Sequence, residues 1–134
     1  MSSLPLFSIK PDKLVESLRQ GELRSGKLVV VDVRDDDRSL GSIVGSYWLP
    51  SDEFIKDVRT SVNHLLEVHP KAKKFVFHCQ LSKVRGPRCA NMFREEVAMN
   101  HQSRAQDMEV YLLEGGFQAF SHKYCRDREL VNGT

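Results

Sequence analysis

The chain has 134 residues, of which 40% are hydrophobic and 28% are charged, and its formal net charge is +2. This length fits one domain, and the composition is that of a folded protein and excludes intrinsic disorder. The small net charge gives no support to nucleic-acid binding, and no stretch approaches the roughly 20 apolar residues of a membrane-spanning helix.

The N-terminal third begins with a predicted helix and a predicted strand. Residues 8–18 carry a proline near their start and apolar residues at helical spacing, which indicates a short helix that ends near Gly21. Residues 28–33 are a continuous apolar run, typical of a parallel strand buried on both faces. A polar loop over residues 35–46 then leads to a short predicted strand at residues 47–50.

The middle of the chain contains a further predicted helix and a further predicted strand. Residues 53–68 have apolar positions at helical spacing, Pro70 ends the pattern, and Ser51 and Asp52 are candidate caps. Residues 74–78 predict another short buried strand.

The C-terminal part contains two further helices and one further strand. A helix is predicted to begin at Gly86, because a proline follows and apolar positions recur at helical spacing. Residues 101–107 indicate a polar connection, residues 109–113 a strand and residues 117–124 a short helix after a glycine turn. The polar tail after Cys125 is predicted to be frayed.

Strands that alternate with helices predict an α/β fold, a three-layer sandwich whose mainly parallel central sheet is covered by helices on both faces. One domain is expected over residues 1–134, with a core of about residues 9–124.

Three cysteines, Cys79, Cys89 and Cys125, form an odd set without CxxC spacing. This pattern argues against a disulfide framework and a structural zinc site, and the histidines show no spacing that gathers them around a metal, so no metal site is predicted. Residues 1–7 lack the basic and apolar regions of an export signal. A soluble protein of a reducing compartment, cytosol or nucleus, is therefore expected.

One loop combines the features of an anion site. Cys79 stands at the carboxyl end of a predicted strand, and Arg85 follows six residues later where a helix begins. Ligands of open α/β sheets bind outside the carboxyl ends of the strands, and a helix N-terminus offers free N–H groups with partial positive charge. The loop amides are therefore expected to converge on one anion.

The same field is expected to lower the pKa of Cys79 and to make its thiolate a nucleophile. Arg85 matches phosphate or arsenate through two parallel hydrogen bonds. Ser82 is a candidate hydrogen-bond partner of the thiolate, and His78 is expected to brace the loop. The alternative is a buried cysteine at a strand end followed by a surface arginine.

Other polar residues have two interpretations each. Asp32 and Arg34 are either site ligands or, as we favour, a charged pair that orders a loop. The acidic run at residues 35–37 either supplies a general acid or, the stronger interpretation, forms a solvated turn. Cys89 is either a core thiol or a resolving thiol.

The motifs resemble those of a known family. The string His-Cys-x5-Arg-Gly-Pro at residues 78–87, with Val-Val-Asp-Val-Arg at residues 30–34 and Leu-Glu-Gly-Gly-Phe at residues 113–117, is similar to the rhodanese-fold family of M-phase inducer dual-specificity phosphatases and eukaryotic arsenate reductases. The resemblance covers about residues 9–124 and implies a rhodanese-like α/β sandwich.

The resemblance also implies roles for residues. Cys79 becomes the nucleophile and Arg85 the oxyanion binder, while the cradle consists of the amides of Gln80, Leu81, Ser82, Lys83, Val84 and Arg85. Sulfurtransferases of this fold have a loop one residue shorter, so the loop here favours phosphate or arsenate. Gln80 and Val33 replace an acidic residue and a second cysteine of the cell-cycle phosphatases, which counts against a literal cell-cycle role.

The expected function is therefore a cysteine-dependent arsenate or antimonate reductase, a phosphatase of phosphoproteins, or both. In the resembling reductases the second thiol comes from glutathione with glutaredoxin, which would be the reductant here, and no bound cofactor is expected. A phosphate-binding module without turnover is the alternative, and a sulfurtransferase is the least favoured.

Overall fold

Five parallel strands form the central sheet of the computed structural model, which describes residues 4–133. In chain order the strands are Leu6–Ile9 (β1), Leu28–Asp32 (β2), Tyr47–Trp48 (β4), Lys74–His78 (β5) and Glu109–Leu113 (β6). Their spatial order is β1-β6-β5-β2-β4, and every neighbouring pair is parallel. The loops after β2, β5 and β6 therefore meet at one edge of the sheet.

Helices cover both faces of this sheet. They are Pro11–Arg19 (α1), Ser51–Lys56 (α2), Val58–Val68 (α3), Arg85–Asn100 (α4), Gln102–Ala105 (α5) and Gly116–Tyr124 (α6), with a 3-10 helix at Asp36–Leu40. One core contains buried side chains of α2, α3 and α4, and the other contains buried side chains of α1 and α6. The predicted three-layer α/β sandwich with a parallel sheet is confirmed. None of the helices within residues 4–133 has the length and apolar character needed to cross a membrane.

The first two predicted helices need correction. Ser8 and Ile9 belong to β1 rather than to a helix, and they pair with β6 at the sheet edge. The helix predicted over residues 53–68 is two helices, because the chain turns at Asp57, whose carboxylate accepts a hydrogen bond from the Thr60 amide at 3.2 Å.

The cap predicted at Ser51 and Asp52 also differs. Ser51 is the first residue of α2 and does not cap it. The carboxylate of Asp35 takes that place, since it accepts hydrogen bonds from the Ser51 hydroxyl at 2.9 Å and the Asp52 amide at 3.3 Å. The loop after β2 is thereby held against the start of α2.

The C-terminal tail is not frayed as the sequence predicts. Val131–Asn132 (β7) pairs antiparallel with Ser42–Ile43 (β3) in a small second sheet. Leu130 and Val131 are buried in the core beside α1 and α6. These two apolar residues, in a tail that is otherwise polar, bring the chain back onto the domain.

Candidate active site

Cys79 directly follows β5, the middle strand of the sheet, and its side chain is only 3% exposed. Its Sγ accepts hydrogen bonds from the Ser82 amide at 3.2 Å and from the Gly86 amide at 3.3 Å. The second amide belongs to the first turn of α4, where N–H groups have no partner within the helix. These donors stabilise negative charge on the sulfur.

The loop reaches this geometry through Ser82. Its φ of 55° lies in the left-handed region, which is uncommon for a residue with a side chain and costs on the order of 1 kcal/mol. The Ser82 hydroxyl is buried without a hydrogen-bond partner among the described residues. The contact with the thiol that the sequence predicts for Ser82 is therefore made by its amide and not by its hydroxyl.

The N-terminus of α6 holds the back of the same loop. The Phe117 amide donates to the Cys79 carbonyl at 3.0 Å, and the Gln118 amide donates to the Gln80 carbonyl at 2.9 Å. A Cβ atom on Gly116 would lie 2.6 Å from each of these two carbonyl oxygens. The carbonyl oxygens of Cys79 and Gln80 therefore face α6, while the amide of Ser82 faces the Cys79 sulfur.

We expect Gly116→Ala to displace the loop. Gly116 has φ 61° and no room for a methyl group, so the variant meets both backbone strain and a clash with the loop carbonyls. Gly26→Ala is the matched control, because Gly26 also has a positive φ of 84° but nothing within 4 Å of its Cβ position. Thermal unfolding should show a loss of about 1 kcal/mol for the control and about 3 kcal/mol for Gly116→Ala.

Activity separates the two glycine variants further. A displacement of catalytic groups by about 1 Å can cost about 10²-fold in rate. Gly116→Ala should therefore lose about that factor in turnover of an oxyanion substrate, while Gly26→Ala stays near wild type. Equal activities in the two variants would show that α6 does not set the loop geometry.

His78 contacts the loop from inside the core. Its Nδ1 lies 3.0 Å from the Cys79 carbonyl, and its Nε2 lies 4.0 Å from the Asp32 carboxylate. Burial lowers the pKa of His78, so the imidazole is neutral and Nδ1–H donates to the carbonyl. The ring is fully buried, which suits a structural contact better than proton exchange with solvent.

A buried ion pair links the loop after β2 to the candidate site. Arg34 donates to the Asp32 carboxylate at 2.8 Å, to the Gly41 carbonyl at 2.6 Å and to the side-chain oxygen of Gln80 at 3.1 Å. Burial opposes ionisation of Asp32, but the hydrogen bonds and charge of Arg34 hold its pKa below the usual value. Asp32 and Arg34 thus order the loop and position Gln80.

Arg85 begins α4 and lies at the same edge of the sheet as Cys79. Its guanidinium donates two parallel hydrogen bonds to the Asp37 carboxylate, at 3.0 and 2.6 Å, and a longer one of 3.4 Å to Asp35. The hydrogen bond from Arg85 lowers the pKa of Asp37. The acidic run is therefore not the solvated turn that the sequence favours, because two of its carboxylates hold the predicted oxyanion binder.

The other two cysteines lie in different surroundings. Cys89 is fully buried in α4, and burial raises the pKa of its thiol to about 12, which keeps it protonated. Cys125 follows α6 and is half-buried. The resolving role of Cys89 stays a prediction that its burial disfavours. Within residues 4–133 no group of three or more His, Cys, Asp or Glu side chains is arranged to hold a metal ion.

Apolar side chains surround the mouth of the loop. Leu81 and Val84 are 42% and 72% exposed, and Trp48 at the end of β4 is 48% exposed. Trp48 is fixed there by its indole N–H, which donates to the Arg34 carbonyl at 2.7 Å. Of the predicted cradle residues, Ser82 thus directs its amide at the sulfur, while Leu81 and Val84 expose apolar side chains.

Sequence reasoning missed several contributors to this arrangement. Gly86 and Gly116 have no predicted role in the site, and Asp37 is predicted only as part of a run that supplies a general acid or forms a solvated turn, although each lies at the carboxyl edge of the sheet. The start of α4 was a usable signal for Gly86, because helix N-termini expose their amides. The contacts of Asp37 and Gly116 depend on tertiary structure and have no local sequence signal.

Comparisons with known proteins agree with this fold. The rhodanese-like domain profile matches residues 11–123. Dual specificity phosphatase ibp1 of Schizosaccharomyces pombe is 29% identical, with 94% of this chain and 96% of that protein covered, and arsenate reductase 2.2 of Oryza sativa is 34% identical, with 73% and 72% covered. The solved As-Sb reductase of Leishmania major is 34% identical with a TM-score of 0.77, over 92% of this chain and 82% of that one.

Proposed function

The chain belongs to the rhodanese-like domain family, and within that family we propose that it is a Cys79-dependent enzyme that reduces arsenate or antimonate. The observation that carries the proposal is the position of the Cys79 sulfur, which two loop and helix amides contact directly. Amides that meet a thiolate from one side also meet an oxyanion bound to it. The similarity to two arsenic-reducing proteins supports the same substrate.

The reaction follows from the site in two thiol steps. The Cys79 thiolate attacks As(V) and displaces water, which forms an S–As bond while Arg85 and the amides hold the arsenate oxygens. A glutathione thiolate then attacks the Cys79 sulfur, the electron pair of the S–As bond passes to arsenic, and arsenite leaves. A second thiol, from glutathione or glutaredoxin, reduces the mixed disulfide and restores Cys79.

In this scheme the thiol that attacks the Cys79 adduct comes from solution and not from another cysteine of the chain. Cys89 is buried and its pKa is raised, so it is a poor attacking thiolate. Cys125 lies beyond the far end of α6, whose N-terminus holds the loop. A small external thiol therefore fits the surroundings of Cys79 better than either internal cysteine.

Phosphatase activity on a phosphoprotein is the second candidate. The exposed apolar side chains of Leu81, Val84 and Trp48 around the loop suit contact with a protein substrate, and ibp1 matches almost the full chain. In that case Cys79 would take the phosphoryl group and water would release it. The two candidates share the nucleophile and cradle but differ in their need for a reductant.

A paired assay on the reduced protein distinguishes these functions. Arsenate-dependent NADPH oxidation, coupled through glutathione reductase, glutathione and glutaredoxin, measures the reductase, and phosphate release from para-nitrophenyl phosphate measures the phosphatase. We expect thiol-dependent arsenite formation with little phosphate release. Phosphate release without reductase activity would favour the second candidate, and inactivity in both assays would favour a phosphate-binding module.

A further inference from the structure

The guanidinium of Arg85 is already bound to an anion of the protein itself. Both of its parallel hydrogen bonds end on the two carboxylate oxygens of Asp37, at 3.0 and 2.6 Å. The two side chains are about a third exposed or less, so solvent screens them only in part. Two parallel hydrogen bonds of this kind, which we call a fork, are also the geometry with which arginine binds one edge of a phosphate or arsenate.

We propose that Asp37 is an internal competitor for the oxyanion subsite and lowers the affinity of the loop for oxyanions. The inference rests on the proposed function, because it takes the Cys79 loop as the anion site. A tetrahedral dianion held by Arg85 needs the same pair of N–H groups that now bind Asp37. Substrate binding therefore includes the exchange of one carboxylate for one oxyanion.

Asp37 is held so that it remains beside Arg85 after the exchange. The Asp35 amide donates to its carboxylate at 3.1 Å, and Arg34 donates to its backbone carbonyl at 3.4 Å. Because the backbone is anchored by a buried arginine, the carboxylate has little freedom to leave the vicinity. A bound anion thus meets a negative charge close by, which weakens its binding.

Asp35 does not fill the same role. Its carboxylate binds the hydroxyl of Ser51 and the amide of Asp52, and its bond to Arg85 is the longest of the three at 3.4 Å. Asp35 therefore joins the loop to α2, whereas Asp37 directs its two oxygens at Arg85. The competitor is one residue of the acidic run and not the run as a whole.

A lower affinity for anions is the consequence. An anion with two oxygens on one edge and a double negative charge can replace the Asp37 carboxylate, while chloride or nitrate offers either no fork or a weaker charge. Without Asp37, all oxyanions should bind more tightly. Because this loss of affinity is common to all of them, anions that already bind weakly do not occupy the site beside the Cys79 thiolate.

Tungstate binding to the reduced protein tests the inference, because tungstate is a tetrahedral dianion whose binding needs no turnover. Calorimetric titration should show about tenfold tighter binding to Asp37→Asn than to wild type, corresponding to the loss of one competing charged pair. Asp36→Asn, which removes an exposed carboxylate of the same turn, should change the affinity by less than about twofold. The gain should shrink in an Arg85→Lys background, where no fork exists.

Several results would overturn it. An affinity of Asp37→Asn equal to that of Asp36→Asn would mean that only net charge matters, and weaker tungstate binding to Asp37→Asn than to wild type would mean that Asp37 does not compete. Absence of tungstate binding to wild type and to every variant would mean that the loop is not an anion site, which overturns this inference and the proposed function together. Asp37→Ser, with thermal unfolding of each variant, guards against a folding defect. Inactivity in the turnover assays with a retained gain for Asp37→Asn would refute the proposed chemistry and leave this inference standing.

Discussion

Cys79→Ser is expected to reduce turnover of arsenate or of an aryl phosphate by at least about 10³-fold. A serine hydroxyl is far less ionised than a thiol, and the adjacent His78 does not activate it as a base, because its Nδ1–H donates to the Cys79 carbonyl. The amides of Ser82 and Gly86 and the guanidinium of Arg85 remain in the variant. Coupled NADPH oxidation and phosphate release both measure the loss.

A second cysteine variant and a binding measurement serve as controls for Cys79→Ser. Cys125→Ser changes the same atom in a half-buried cysteine outside the loop and should keep nearly full activity. Tungstate affinity of Cys79→Ser should stay within about threefold of wild type, since the anion ligands are unchanged. Activity of Cys79→Ser comparable to wild type would eliminate a covalent intermediate on this residue, whereas equal loss in Cys125→Ser would point to a general effect on folding.

The central strands and their order along the chain could be predicted because they have strong local signals. The valine run at residues 28–33 and the short apolar run at residues 74–78 both predict buried strands, and the structure places them side by side in parallel. Because the two strands are parallel, their carboxyl ends, where Asp32 and Cys79 stand, lie at the same edge of the sheet. Parallel topology alone therefore brings these candidate residues together.

The elements that the sequence failed to predict are those that depend on distant partners. β1 is four residues long with an exposed Phe7, and its local pattern does not distinguish it from the start of α1. β7 has two residues and exists because β3 pairs with it, about 90 positions earlier in the chain. Tertiary pairing of this kind overrides weak local propensity.

The contact between Arg85 and Asp37 illustrates the same limit within the site. The two residues lie 48 positions apart, and a run of three aspartates is usually a solvated turn. Only the structure shows that the middle of the loop after β2 turns its carboxylate toward the start of α4. The cradle was predictable from one loop, but its competitor belongs to another.

Arg85→Lys is expected to lose about 10²-fold in kcat/KM for arsenate or an aryl phosphate. Lysine keeps the positive charge but replaces a planar fork with a single ammonium, so it cannot hold two oxygens of one oxyanion in fixed directions. The loss should appear in kcat as well as in KM, because charge on these oxygens builds up in the transition state. Steady-state kinetics over a range of substrate concentrations measures both.

Arg88→Lys provides the matched control, since Arg88 lies in the same helix but is exposed to solvent. Its kinetics should stay within about twofold of wild type. If Arg85→Lys retained wild-type kcat/KM, the guanidinium would act as a plain charge, and the fork shared with Asp37 would have no part in substrate recognition. If the loss were confined to KM, Arg85 would bind substrate and transition state equally, and the amides of the loop would account for the acceleration at Cys79.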